Sequence, residues 1–175
     1  PVVFELVTVL AGASAPGFAV AREKGLATRL DVDPTLPAML HGDPRIIQRV
    51  LGQLIDNAAK FTVAGSVRLS VTRVAATADG RVGVRFDVGD SGIGMPAEIL
   101  SRLFQPFMQA DDGVDRKFEG IGLGLALARE LARLSGGEVG CTSEPGKGST
   151  FWLALELGVA NASAAPLGAP RPDSL

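Results

Sequence analysis

The stretch Gly42–Thr62, GDPRIIQRVLGQLIDNAAKFT, decides how this chain of 175 residues folds. Asp43 is a helix N-cap, and Pro44 occupies the first helical position, where its missing N–H costs nothing and its φ is already set. The spacing predicts a helix from Pro44 to about Phe61. At about 100° per residue, Ile47, Val50, Leu51, Leu54, Ala58 and Phe61 fall on one face. Gln53, Asn57 and Lys60 fall together on an adjacent stripe. That stripe has two readings. It is a solvated edge beside a core face, or it is a site. An amide oxygen can ligate a hard cation such as magnesium, which also takes substrate phosphates, and a lysine nearby can neutralise phosphate charge.

Working outward, Val2 to about Arg22 has apolar residues at helical spacing, interrupted by Pro16-Gly17. Ala27–Val32 alternates and reads as a strand, followed by a loop punctuated by Asp33-Pro34 and Leu36-Pro37. Ser66–Val74 and Val82–Val88 also alternate and are joined through Asp79-Gly80, a hairpin signal. A glycine turn, Asp90-Ser-Gly-Ile-Gly-Met95, comes next, then a short helix over Ala97–Leu103. Phe104–Gly120 has little periodicity and reads as a mobile loop. Gly122–Ser135 is a helix closed by Gly136-Gly137, Glu138–Thr142 a strand and Ser149–Leu157 a last strand, in which Phe151 and Trp152 are expected in the core. From Gly158 to Leu175, Ala, Pro, Gly and Ser supply 12 of 18 residues, the composition of a linker or tail. The domain is therefore expected over residues 1–157. Strands and helices mix without a clean βαβ series, so the fold class is α+β: a two-layer α/β sandwich with a mixed sheet packed against helices.

Composition removes several function classes. Formal net charge is −2, so no basic excess points to nucleic acid or to a membrane surface. No run of about 18 apolar residues is present to span a bilayer. One cysteine excludes a disulfide within the chain, and a single His beside it argues against a zinc or haem site. That histidine, His41, is expected on an exposed loop, and Cys141 in strand packing. A start at Pro1, with neither methionine nor signal peptide, suggests a piece of a longer protein. Glycine is the outlier: 22 residues, of which 14 lie between Gly80 and Gly148. Glycine serves where backbone needs φ > 0 or approaches something closely, so the middle of the chain wraps around a partner.

Two glycine runs carry candidate chemistry. Asp90 ends a strand, where its carboxylate can accept from an exocyclic amine, and Gly92 and Gly94 let a planar ring approach; the same residues also suit an ordinary tight turn. Gly120-Ile-Gly-Leu-Gly124 opens a helix, whose free N–H groups and dipole favour an anion. It is neither a Walker loop nor a dinucleotide fingerprint.

In order, these segments resemble the boxes of sensor histidine kinases. Gly42–Thr62 resembles the N box, Val88–Met95 the first glycine box, Leu103-Phe-Gln-Pro-Phe107 the F box, Arg116–Leu125 the second glycine box and Gly146–Phe151 the final Thr-containing motif. The resemblance covers roughly Phe4 to Leu157. It implies the catalytic and ATP-binding domain of a two-component kinase, a protein-histidine kinase of hybrid type, with a Bergerat-type ATP-binding fold shared with gyrase, MutL and chaperone ATPases. By that resemblance Asn57 ligates magnesium, Lys60 contacts phosphates and Phe61 packs near adenine. Asp90 accepts the adenine amino proton in a pocket shaped by Gly92 and Gly94, with Thr150 supporting Asp90 or its bridging water. Gly120, Gly122, Leu123, Gly124 and Leu125 bring the second glycine box to ATP. Phe104 and Phe107 anchor a lid over about Pro96–Gly120, in which Arg116 or Lys117 resembles a cation for the γ-phosphate; a solvated charge run is the other reading of that pair, as it is of Asp111, Asp112 and Asp115.

The family usually has Asn or Glu where this chain has Gln53, counted here among the catalytic residues. An amide cannot take a proton from water, which argues against efficient ATP hydrolysis but not against transfer. Ile121 stands where threonine is commoner. The phosphoacceptor histidine lies outside this chain, so the resemblance implies three further things: a dimerisation and phosphoacceptor domain as first partner, a receiver domain as second, and a cytoplasmic location. The rival readings are a nucleotide-binding module without transfer, a chaperone- or repair-type ATPase, and a serine kinase of the anti-sigma type.

Overall fold

A computed structural model describes residues 1–76, 78–105 and 121–160, with the backbone alone at 121–123. The elements run β1 (Val2–Glu5), α1 (Leu6–Glu23), β2 (Ala27–Val32), β3 (Met39–Gly42), α2 (Pro44–Phe61), β4 (Ser66–Val74), β5 (Arg81–Asp90), α3 (Ala97–Leu100), α4 (Ile121–Leu134), β6 (Glu138–Glu144) and β7 (Gly148–Val159).

The strands form one seven-stranded sheet in the order β1-β3-β7-β5-β4-β2, with β6 also paired to β7. The β2–β4 pair is parallel and the others antiparallel, so the sheet is mixed. Alternation sets the two faces. Val82, Val84, Phe86 and Val88 of β5, with Phe151, Leu153, Leu155 and Leu157 of β7, are buried against the helices. Helix α2 lies between α1 and α4 and touches β4, β5 and β7. This is the expected two-layer sandwich.

Helix α2 has the predicted bounds. Asp43 caps it by accepting from Arg45 N at 3.0 Å and Ile46 N at 3.4 Å. Its other end is held by side chains: Thr62 Oγ1 donates to the Ala58 carbonyl at 2.7 Å, and Lys24 Nζ to that of Ala59 at 2.6 Å. These bonds satisfy carbonyls that a helix end otherwise leaves orphaned.

The sequence reading needs correction in five places. Val2–Glu5 is a strand rather than the start of a helix, paired with Met39–Gly42, which was read as loop. The exposed His41 therefore sits on a strand. Pro16 does not interrupt α1. It lies, like Gly12 one turn before it, on the exposed face, and burial of Leu6, Leu10, Ala13, Phe18 and Ala21 holds the helix. Gly17 belongs to that packing, since a Cβ there would sit 2.4 Å from Ile55 Cγ2. Strand β7 passes Leu157 and pairs Gly158 and Val159 with His41 and Leu40. Trp152 is on the outer sheet face, half-buried under the Arg85 guanidinium 4.7 Å from its ring, while Phe151 is in the core.

Candidate functional site

A cleft opens where the C-terminal half of α2 faces the ends of β5 and β7. Asn57 and Phe61 come from α2, Asp90 from the end of β5, Ile93, Gly94 and Met95 from the following turn, and Ser149 and Phe151 from β7. About 300 Å³ of atom-free space, part of it open solvent, lies between these residues. The recess is a slot between α2 and the sheet.

Asp90 is the anchored acid of this slot. Its Oδ1 accepts from Gly92 N at 2.9 Å and Ser149 N at 3.3 Å. Burial raises its carboxyl above the ordinary value, with the two backbone N–H groups pulling the other way. Cys141, half-buried in β6, is pushed up to about 12 by burial and by the Asp90 charge, so it stays a thiol.

Asn57 is buried at 5% exposure. Its Oδ1 accepts from Gln53 Nε2 at 3.2 Å, and its Nδ2 has no partner. Lys60, one turn on, is exposed, with Nζ 5.7 Å from the centroid of Phe61. The predicted stripe is therefore one physical strip, bonded at its first two members. The first turn of α4 stands against it: a Cβ on Gly124 would lie 2.4 Å from Gln53 Cδ.

The first glycine turn is close-packed against protein. A Cβ at Gly92 would lie 2.7 Å from the Phe61 carbonyl oxygen, and one at Gly94, where φ is +66°, 2.0 Å from that of Glu144. These two glycines fit the turn between α2 and the β6–β7 connection, and Gly94 also lines the slot.

Other expected site residues among those described do not line this slot. Thr150 is opposite Gly89 and Ser149 opposite Asp90, so strand alternation puts Thr150 on the outer face. Ser149 is the residue at the acid. The parity of Ser149 with Phe151, Leu153 and Leu155 was the signal that could have found it. Leu125 is fully buried in the core. Gly122 and Leu123 belong to the first turn of α4. Phe104 packs partly against the core beside the buried Leu103. Phe107, Asp111, Asp112, Asp115, Arg116, Lys117 and Gly120 lie outside the described residues.

A mixed sheet covered on one face by helices, with an anchored carboxylate and a buried amide of the central helix lining one slot, defines an ATPase-type α/β sandwich. The family model for histidine kinase-, DNA gyrase B-, and HSP90-like ATPases matches residues 42–159, and the chain belongs to that family. The sensor histidine kinase AruS of Pseudomonas aeruginosa is 44% identical over 147 residues, which is 83% of this chain and 14% of AruS. The sensory/regulatory protein RpfC of Xanthomonas campestris is 42% identical over 139 residues, 79% of this chain and 19% of RpfC. The chain thus spans under a fifth of the curated relatives it matches. Full-length ShkA, solved in complex with AMPPNP, superposes with a TM-score of 0.75 at 33% identity, covering 91% of this chain and 31% of ShkA. The nucleotide-free catalytic domain of the histidine kinase ThkA has the same fold, with a TM-score of 0.68 at 20% identity, covering 87% of this chain and 92% of that one.

Proposed function

We propose that this chain is the ATP- and magnesium-binding catalytic domain of a two-component sensor histidine kinase. In this reading it passes the γ-phosphate of ATP to a histidine on a separate dimerisation domain, from which a receiver aspartate takes it. The observation that carries the reading is the state of Asp90. Both its hydrogen bonds fall on Oδ1, leaving Oδ2 to accept from the exocyclic amine of adenine in the slot.

The residues fit a magnesium nucleotide. A hard cation that brings its own phosphates and water needs few protein ligands, and the neutral amide of Asn57 lines the slot. Asn57 suits that role. Turned together by 180°, the Asn57 and Gln53 amides keep their mutual bond and expose Asn57 Oδ1 in place of Nδ2. Lys60, exposed on the same strip, supplies positive charge for phosphates, and the first turn of α4, where a helix dipole favours an anion, stands beside Gln53. Bound there, the magnesium nucleotide supplies the phosphoryl group and neutralises its charge. Gln53 orients Asn57 and, as an amide, takes no proton, which suits transfer better than hydrolysis.

The domain works in the cytoplasm in this reading; no helix among the described residues is long and apolar enough to cross a membrane. Calorimetric titration with an ATP analogue, with and without magnesium, tests binding, and labelled ATP with the kinase's own dimerisation domain tests transfer. Absence of heat sinks the reading. Heat without label on histidine favours a nucleotide-binding module that does not transfer.

A further inference from the structure

The sheet wall of the slot is unusual in its hydrogen-bond polarity. Three backbone N–H groups near Asp90 and Ser143 donate within the protein. Gly92 N and Ser149 N donate to Asp90 Oδ1, and Met95 N donates to Ser143 Oγ at 2.8 Å. Ser143 and Ser149 are opposite each other on β6 and β7, with their hydroxyl oxygens 2.7 Å apart. Distance alone leaves open which of them donates.

The rest of the network decides it. A serine hydroxyl has one proton. Ser143 Oγ lies 3.0 Å from the Gly148 carbonyl oxygen, which can only accept. Placing the Ser143 proton anywhere else would face lone pair against lone pair across that gap. Ser143 therefore donates to Gly148, accepts from Met95 N, and must accept from Ser149 as well. The Ser149 proton is spent on Ser143, and Ser149 Oγ, on a residue 8% exposed that lines the slot, presents only lone pairs to it. Asp90 Oδ2 beside it is also an acceptor.

We propose that Ser143 sets the base selectivity of this site by fixing the direction of the Ser149 hydroxyl. The inference rests on the reading of the slot as the purine site and deepens it. A sheet wall made of acceptors welcomes a 6-aminopurine, whose exocyclic group offers two N–H donors. It opposes a 6-oxopurine, whose exocyclic oxygen meets lone pairs. Ser143 needs no contact with the base for this; it is a positioning residue acting through Ser149.

The experiment measures the dissociation constants of ATP and of inosine triphosphate by calorimetry, on this chain and its variants. In Ser143→Ala the Ser149 proton is released and can turn to the 6-oxo group. The preference for ATP over inosine triphosphate is expected to fall about fivefold, the worth of one ordinary hydrogen bond, mainly through tighter binding of the inosine nucleotide. Ser143→Thr, which keeps the hydroxyl, restores the original ratio. Should Ser143→Ala fail to fold, Ser149→Ala gives the second measurement, because losing the oriented acceptor also lowers the preference. Equal weakening of both nucleotides in Ser143→Ala, with the ratio unchanged, marks a merely structural role and overturns the proposal, as does an unchanged ratio in Ser149→Ala. If the unmodified chain binds ATP normally in those cases, the reading of the site survives; if it binds neither nucleotide, both fall together.

Discussion

Lys24 Nζ, at the end of α1, donates to the carbonyl of Ala59 in the last turn of α2 at 2.6 Å, and to that of Lys60 at 3.3 Å. An ammonium placed on a helix C-terminus satisfies orphan carbonyls and opposes the negative end of the dipole. The turn it holds carries Lys60 and Phe61, the phosphate and base contacts of the proposed site. Lys24→Met keeps the apolar stem and removes the charge. It should cost about 1 kcal/mol of stability, a drop of roughly 2–4 °C in Tm, and weaken nucleotide binding beyond what that loss alone explains. Thermal unfolding and calorimetry on the same samples check this. An unchanged nucleotide affinity would show that the cap serves the fold alone.

Asp90 separates fold from function. Burial raises its carboxyl above 3.8, so the folded protein holds that proton more tightly than the unfolded chain does. Its contribution to stability is complete below the unfolded value and is lost as pH rises through the folded one. Ionising the buried acid is thus a cost to the fold. Asp90→Asn keeps an oxygen for Gly92 N and Ser149 N but turns a donor toward the slot. The free variant should be at least as stable as the parent at pH 7, while adenine nucleotide affinity falls about 10- to 100-fold. Urea unfolding across pH 3–7, paired with titration of ATP, reads both.

Two glycines with similar backbone angles isolate the effect of close approach. Gly94 (φ +66°) and Gly146 (φ +79°) both carry the left-handed conformation. Around Gly146 nothing lies within 4 Å of a built Cβ, while at Gly94 the Glu144 carbonyl oxygen is 2.0 Å away. Gly146→Ala should cost about 1 kcal/mol, the left-handed penalty alone. Gly94→Ala should cost roughly 3 kcal/mol or more, because backbone on both sides must move. Equal urea midpoints for the two variants would show that the turn yields freely.

Much of this was legible in the residues, and the reasons differ by element. Helix α2 could be read to its ends because every local signal agreed: a capping Asp, a Pro at the first position and an uninterrupted apolar face. The strip Gln53–Asn57–Lys60 followed from the same periodicity. Strands β1 and β3 were hidden because each is four residues long, too short for alternation to show, and they define one another only by pairing. Pro16 misled because its cost depends on exposure, which periodicity does not reveal. Ser149 and Thr150 differ by one residue, the step along a strand that moves a side chain to the opposite face, and it is Ser149 that lines the slot. Lys24 and Ser143 had no signal in sequence, since their partners lie on other elements.

Asn57 supports the last prediction, which concerns the metal. It is 5% exposed, and its Nδ2 is the one buried side-chain N or O atom without a partner among the described residues. An unsatisfied buried donor costs about 1–3 kcal/mol, so Asn57→Ala removes a penalty as well as a few contacts. Stability should change by less than about 1 kcal/mol, because the small void left behind offsets the gain. The effect on ligand binding should be selective. In the parent, chelating magnesium should weaken ATP binding; in Asn57→Ala, affinity with magnesium should equal affinity without it, while the metal-free value stays close to that of the parent. Titrations of ATP with and without a chelator measure all four constants. Persistence of the magnesium gain in Asn57→Ala would place the metal on other groups and remove this amide from the site.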